Sequence, residues 1–208
     1  MIEKIVVYLE SLDLLSCSSK YWWPESGTFA VVIGAVLTQN TTWNNVEKSL
    51  QNLQGYLRLE DFVKLEVSEV QKLIRPSGFY NQKSFRLVML AKNIYKTFGN
   101  FENFQKSVNR QWLLEQKGIG EESADAILCY GCMRETMVVD LYTKRLLQQF
   151  GIKCNSYKEY QSYIIHGTDN CWGRIEKRYE DDRHLFYAKF HGMIVEYNKL
   201  KLFRYNKR

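Results

Sequence analysis

Apolar residues return every third or fourth position along most of the chain. Ile2, Ile5, Val6, Leu9 and Leu12 open the pattern, and Phe29, Val32, Ile33, Val36 and Leu37 continue it, the spacing of amphipathic helices rather than strands. Thr28 stands where an N-cap would start the second helix. Further helices are predicted near 42–53, 61–66, 68–75, 81–97, 101–107 and 110–116, broken by Pro76-Ser77-Gly78 and by Gly99-Asn100. Beyond Gly151 the helical spacing resumes over 156–166, 173–179 and 182–199, the last carrying Leu185, Phe186, Ala188, Phe190 and Ile194. No solenoid repeat and no low-complexity linker interrupts the run. Only two prolines and twelve glycines occur in 208 residues, too few breakers for an all-β sandwich of tight turns.

Composition adds a core and a charged end. Hydrophobic residues make up 45%, aromatics 14% and charged residues 25%, and mean hydropathy is −0.39, which excludes a disordered or fibrous chain. The net charge is +6. From Met1 to Asp182 the two signs balance at 22 each, so the excess sits in the last 26 residues, where seven basic side chains face Glu196 alone. Such a stretch suits a polyanion and is equally the composition of a solvated basic terminus. Cys17, Cys129, Cys132, Cys154 and Cys171 are odd in number, with one close pair and no second pair at zinc spacing. They fit neither a disulfide framework nor a metal site, and predict a reduced, cytoplasmic protein. The longest apolar run, Phe29–Leu37, is too short to span a bilayer, and the first residues lack a signal-peptide pattern.

The most informative segment is 111–150. A helical stretch ending at Gln116-Lys117 is followed by Gly118-Ile119-Gly120 and by a second stretch with Ser123, Ala124, Ile127 and Leu128 on its packing face. Two glycines around one aliphatic residue allow a tight hairpin whose backbone N–H groups face outward at a helix start, where a phosphate oxygen is favoured; an ordinary turn between packed helices is the other reading. Val138-Val139-Asp140 follows, with Asp140 twenty residues beyond Gly120. Together with Val36-Leu37-Thr38-Gln39-Asn40-Thr41, Gly78-Phe79-Tyr80-Asn81-Gln82-Lys83 and Phe190-His191-Gly192, this order resembles the helix-hairpin-helix DNA glycosylase superfamily typified by endonuclease III. The resemblance spans about residues 28–192. Gln116-Lys117 replaces that family's Leu-Pro, and its Gly/Pro-rich loop is reduced here to Gly131.

The resemblance carries chemistry over residue by residue. Bifunctional members place a lysine two residues after the second hairpin glycine, whose amine forms a Schiff base with the sugar; Glu122 stands there, implying a monofunctional glycosylase that uses water. Asp140 is then the catalytic carboxylate, stabilising an oxocarbenium-like sugar and orienting water, while also standing where it would cap the helix of Leu141-Tyr142-Thr143-Lys144. No cluster cysteines follow Phe190-His191-Gly192, so no iron–sulfur cluster or other cofactor or metal is expected, beyond the monovalent cation that relatives hold on their hairpin carbonyls. Cys129 and Cys132 read as small buried thiols.

Tyr21-Trp22-Trp23-Pro24 places two indoles between the first two helices. They belong either to the core or to a base pocket, where a cationic methylated purine gains cation–π attraction. With Glu122, and with Gly120-Glu121-Glu122-Ser123-Ala124-Asp125-Ala126-Ile127-Leu128-Cys129-Tyr130, the Trp-Trp-Pro segment is most similar to small bacterial 3-methyladenine DNA glycosylases of the endonuclease III type. The alternatives are a mismatch-adenine glycosylase, a non-catalytic helix-hairpin-helix module that binds DNA, and a helical interaction domain. The expected fold is all-α: a barrel-like lobe over 28–135, a second lobe from 1–27 with 136–208, and an interlobe cleft for the base. Double-stranded DNA with a flipped damaged base is the expected partner, and a monomer the default. Gly118, Ile119 and Gly120 would hold the backbone and Gln39, beside Asn40, would fill the gap in the duplex. Trp22 and Trp23 would form the stacking wall, with Lys189, Lys199 and Lys201 as backbone contacts.

Overall fold

The apolar stripes become helices in the structure, a computed structural model that describes the backbone of residues 1–205 and the side chains of residues 1–200. The fold is all-α, with thirteen α-helices and no strand among the described residues. The chain divides into two compact units, Glu25–Met133 and Met1–Pro24 together with Arg134–Arg208.

The second of these begins with α1 (Ile2–Glu10), whose buried stripe is Ile2, Ile5, Val6 and Leu9. The other unit holds α2 (Phe29–Leu37), α3 (Trp43–Asn52), α4 (Leu59–Phe62), α5 (Val67–Leu73), α6 (Tyr80–Phe98), α7 (Phe101–Ser107), α8 (Arg110–Leu114) and α9 (Glu121–Ala126). Every residue of α2 is buried, as befits a helix apolar all round, and α3, α6 and α9 pack against it. The chain then returns to the first unit with α10 (Leu141–Gln149), α11 (Tyr157–Asp169), α12 (Trp172–Ile175) and α13 (Arg183–Tyr205). There α13 packs on α1 and α10, and Leu146, Leu147, Ile164, Phe186, Phe190 and Ile194 join the stripe of α1 in one core.

Several local expectations are corrected. The stretch 61–66 is not one helix: α4 ends at Phe62, and Glu66 starts α5 through a reciprocal capping box with Glu69. Residues 173–179 form a short α-turn followed by a 3₁₀ turn over Glu176–Tyr179. Thr28 occupies the N-cap of α2, but its hydroxyl donates to the Glu25 carbonyl at 2.7 Å instead of capping. The helix after the hairpin widens into a π-turn over Ile127–Gly131, where the Cys132 N–H reaches the Ile127 carbonyl at 2.8 Å. Cys129, Cys132 and Cys171 are buried, and burial pushes the Cys129 thiol up. No helix among the described residues is long and apolar enough to cross a membrane.

A buried lysine ties together the unit Glu25–Met133. Lys83, only 1% exposed, donates from Nζ to the Leu37 carbonyl at the end of α2 and to the Ser77 carbonyl, each at 2.8 Å. A cation at a helix C-terminus satisfies carbonyls that the helix leaves unpaired. Burial, reinforced by the charge of Arg86, pushes this ammonium down to about 8; the neutral amine still offers two N–H groups for the two carbonyls. Lys83→Met orphans both acceptors and is expected to cost about 2 kcal/mol, or roughly 4–8 °C in Tm, measured by thermal unfolding.

Candidate active site

In the unit that carries α10–α13, the run Met137-Val138-Val139 is buried and delivers Asp140 to the N-cap of α10. The Val139 N–H donates to the Tyr157 hydroxyl at 3.2 Å, which pins the approach. Asp140 Oδ1 accepts from the Thr143 backbone N–H at 2.7 Å and from the Thr143 hydroxyl at 2.9 Å. Its Oδ2 faces Nε2 of His191 on α13 at 3.5 Å. Both side chains are largely buried, 14% exposed for Asp140 and 5% for His191. Burial by itself pushes the carboxyl up; the His191 imidazole and then the two Thr143 donors outweigh it, and Asp140 is held below its ordinary range. The result is a fixed anion that does not need to reorganise when positive charge develops beside it.

Trp22 belongs to the same site. Its backbone is left-handed, with φ +68°, and its indole lies perpendicular to the His191 ring with centroids 5.4 Å apart. The indole Nε1 donates to Glu196 Oε1 at 3.1 Å. Lys199 donates to the same oxygen at 2.8 Å and stands 5.9 Å from the indole centroid. A Cβ on Gly192 would lie 2.4 Å from Trp22 Cγ, so the glycine is the seat of the indole. Trp23, 8% exposed, is buried and packs at right angles to Trp22, centroids 6.1 Å apart. Trp22 is half-buried and is therefore the more accessible of the two indoles. Lys199, expected as a backbone contact, is paired with Glu196 and keeps a partly exposed side chain. Lys189 is half-buried on α13, and the Lys201 side chain lies outside the described residues. His191 and Glu196 were not singled out from the sequence, though Phe190-His191-Gly192 was the signal at hand.

In the other unit the hairpin joins α8 to α9. Asn109 caps α8 by accepting from the Trp112 N–H at 2.8 Å, and Arg110 clamps buried Asp125 of α9 through Nε at 2.7 Å and Nη2 at 3.1 Å. Gly118 has φ +83°, a conformation that favours glycine, and a Cβ there would lie 2.4 Å from Arg86 Nε. Gly118 and Gly120 are exposed and Ile119 is buried, so the hairpin shows its backbone outward and its aliphatic side chain inward.

Gln39 is committed to this hairpin. Its Nε2 donates to the Gly118 carbonyl and to Ser123 Oγ, each at 3.0 Å, and its Oε1 accepts from Arg86 Nη1 at 3.1 Å. Both ends of the amide are engaged, so Gln39 would have to release these bonds to enter a duplex as expected. The neighbouring Asn40 is exposed with φ +54°. Phe79 is also left-handed, φ +47°, and 63% exposed. Lys83 ties the turn before Phe79 to the end of α2, and Arg86 ties the hairpin to Gln39, so one face of α6 gathers three turns. The reading from sequence missed Phe79 and Arg86; the segment Gly78-Phe79-Tyr80 carried the signal for the first, and none was present for the second.

These features agree with comparisons to known proteins. The family profile of HhH-GPD superfamily base excision DNA repair proteins matches residues 33–164. A putative DNA repair glycosylase of Methanocaldococcus jannaschii is 40% identical over 185 residues, covering 86% of this chain and 80% of that protein. Endonuclease III of Thermotoga maritima is 27% identical over 154 residues, 73% of this chain and 70% of its own. Among solved structures, the H. pylori 3-methyladenine DNA glycosylase bound to 1,N6-ethenoadenine superposes with a TM-score of 0.91 at 45% identity, over 95% of this chain and 97% of that one. An endonuclease III–DNA complex shares the fold, with a TM-score of 0.69 at 15% identity over 94% and 84% of the two chains. The chain belongs to the HhH-GPD superfamily of base excision DNA repair proteins and is a DNA glycosylase of base excision repair.

Proposed function

We propose that this glycosylase hydrolyses the N-glycosidic bond of alkylated purines in duplex DNA, 3-methyladenine foremost, with water as the nucleophile. The observation that carries the reading is the pinned Asp140 carboxylate sharing His191 with an immobilised indole, Trp22. Cleavage of the bond builds positive charge on the deoxyribose, and a fixed carboxylate stabilises that charge and orients the attacking water. A methylated purine is itself cationic and leaves readily. The Trp22 ring supplies the electron-rich surface such a base prefers. The same specificity is in the name of the H. pylori relative.

Water is the nucleophile in this reading because Glu122 occupies the place where bifunctional relatives carry an amine, and a carboxylate forms no imine. The exposed glycines of the hairpin would hold a phosphate through backbone N–H groups. Asn40, not Gln39, would fill the space left by the extruded base. Phe79, exposed on a left-handed backbone, has the character of an apolar wedge inserted between base steps.

The test is release of free bases from methylated duplex DNA, with borohydride added in parallel. Release of 3-methyladenine with no trapped protein–DNA adduct supports the reading. A trapped adduct overturns the role of water, and release restricted to adenine opposite 8-oxoguanine overturns the alkylpurine specificity.

A further inference from the structure

His191 sits on a stretch of α13 whose other residues, Phe190, Met193 and Ile194, are buried in the apolar core. Placing an imidazole there costs desolvation unless a polar partner compensates it. Asp140 is the carboxylate that Nε2 faces, at a contact distance rather than in a well-formed hydrogen bond. With Oδ1 taken by two donors from Thr143, rotation of the carboxyl is blocked and Oδ2 is left to meet Nε2 of His191 at 3.5 Å. The same ring stands perpendicular to the Trp22 indole, centroids 5.4 Å apart.

We propose that His191 is the positioning residue for Asp140 in base release: it holds the second carboxylate oxygen while its ring sets the seat of Trp22, so one imidazole aligns the anion with the stacking surface. The proposal rests on the reading of Asp140 as the group that meets the sugar cation. No proton leaves His191 in the step; it acts through Asp140 and does not touch the substrate. Ionisable groups stand on the elements packed around the pair. The Tyr21–Trp23 segment brings the Tyr21 phenol, stacked on His184. The next turn of α13 brings Glu196 and Lys199, which pair with each other beside Trp22, and α10 brings Asp140 itself. His191 stands first among the influences that lower the Asp140 carboxyl, and its Nε2 faces Oδ2 directly.

The experiment is the single-turnover rate of 3-methyladenine release between about pH 4 and 8 for wild type, His191→Gln and His191→Met. Affinity for a duplex containing an abasic site and thermal unfolding are measured alongside. Met fills the space without a polar group to face Oδ2 and is expected to lose about 10–100-fold in rate, with affinity unchanged. Gln restores an N–H donor and recovers most of the rate at neutral pH. Because an amide carries no charge, it loses the part of the His191 influence that lowers the Asp140 carboxyl, and the acid limb of its profile moves to higher pH. Wild-type rates and profiles in both variants overturn the proposal. Should His191→Met not fold, His191→Gln decides alone, since a ring that only packs leaves the acid limb where wild type has it. Asp140→Asn separates the two failures. Full base release by that variant overturns the role of Asp140 and this proposal with it; its silence beside wild-type behaviour of the His191 variants overturns the role of His191 only.

Discussion

Asp140→Asn is expected to lower base release from methylated duplex DNA by about 10²–10³-fold, the loss that follows removal of one preorganised electrostatic group from a transition state. The substitution is informative because so little else changes. Asn caps helices about as well as Asp, so its side-chain oxygen can still accept from the Thr143 N–H that Asp140 Oδ1 now accepts at 2.7 Å. Helix α10 keeps its start, and the hairpin that would grip the phosphates lies in the other unit. DNA affinity is therefore expected to stay at the wild-type level while the chemical step fails. A non-catalytic DNA-binding module would show no base release from either protein. Stability carries a separate signature. The folded-state pKa of Asp140 is lowered, so its ionisation stabilises the fold above the ordinary aspartate value of about 3.9, and that contribution is lost as pH falls through the folded value. Urea unfolding should show wild type losing its advantage over Asp140→Asn only below about pH 4.

Gly192→Ala is expected to have the second large effect, and its sign is the unusual part. In an exposed helix interior the change would stabilise by up to about 1 kcal/mol. Here the new methyl would lie 2.4 Å from Trp22 Cγ and 2.8 Å from both Cβ and Cδ2. These atoms sit at the root of the indole and cannot swing away, whereas a clash with the far end of a long side chain could be relieved. The ring must leave α13, breaking its Nε1 bond to Glu196 and its contact with His191. We expect a net destabilisation of about 1–3 kcal/mol, typical of overpacking, and about a 10²-fold loss of base release from misplacing the stacking surface. The decisive control is the double variant. In a Trp22→Gly background, which removes the Cβ at 2.8 Å together with the indole, these close contacts are gone, and Gly192→Ala should become neutral or stabilising. Equal destabilisation in both backgrounds would show that the glycine serves some purpose other than seating the indole.

Much of this protein is written in short-range pattern. The helical periodicity of Ile2 to Leu9 and of Phe29 to Leu37 is local, and so are the glycine spacing of the hairpin and the carboxylate at position 140 ahead of a helical run. Each depends on residues within a turn or two of one another, which is why the all-α fold, the hairpin and Asp140 could be read without coordinates. The capping box at Glu66 shows where local reading fails even at short range, since Glu lies outside the usual Ser/Thr/Asp/Asn capping set.

The remainder required distant segments to meet. Periodicity says that a face is buried but not against what, so it could not tell that Gln39 reaches 79 positions along the chain to Gly118, leaving Asn40 exposed beside it. Nor could it tell that Lys83, by composition a surface residue, is the buried clasp between the end of α2 and the turn before Phe79. Trp22 and Glu196, 174 positions apart, were a pair of indoles to be chosen between and an isolated acid in a basic tail. Packing of α13 against the Tyr21–Trp23 segment made them one device, with His191 between the indole and the carboxylate. Side-chain identity specified which groups were available for chemistry; the close packing of helices remote in sequence specified which of them were already spent on holding the fold and which were left to act.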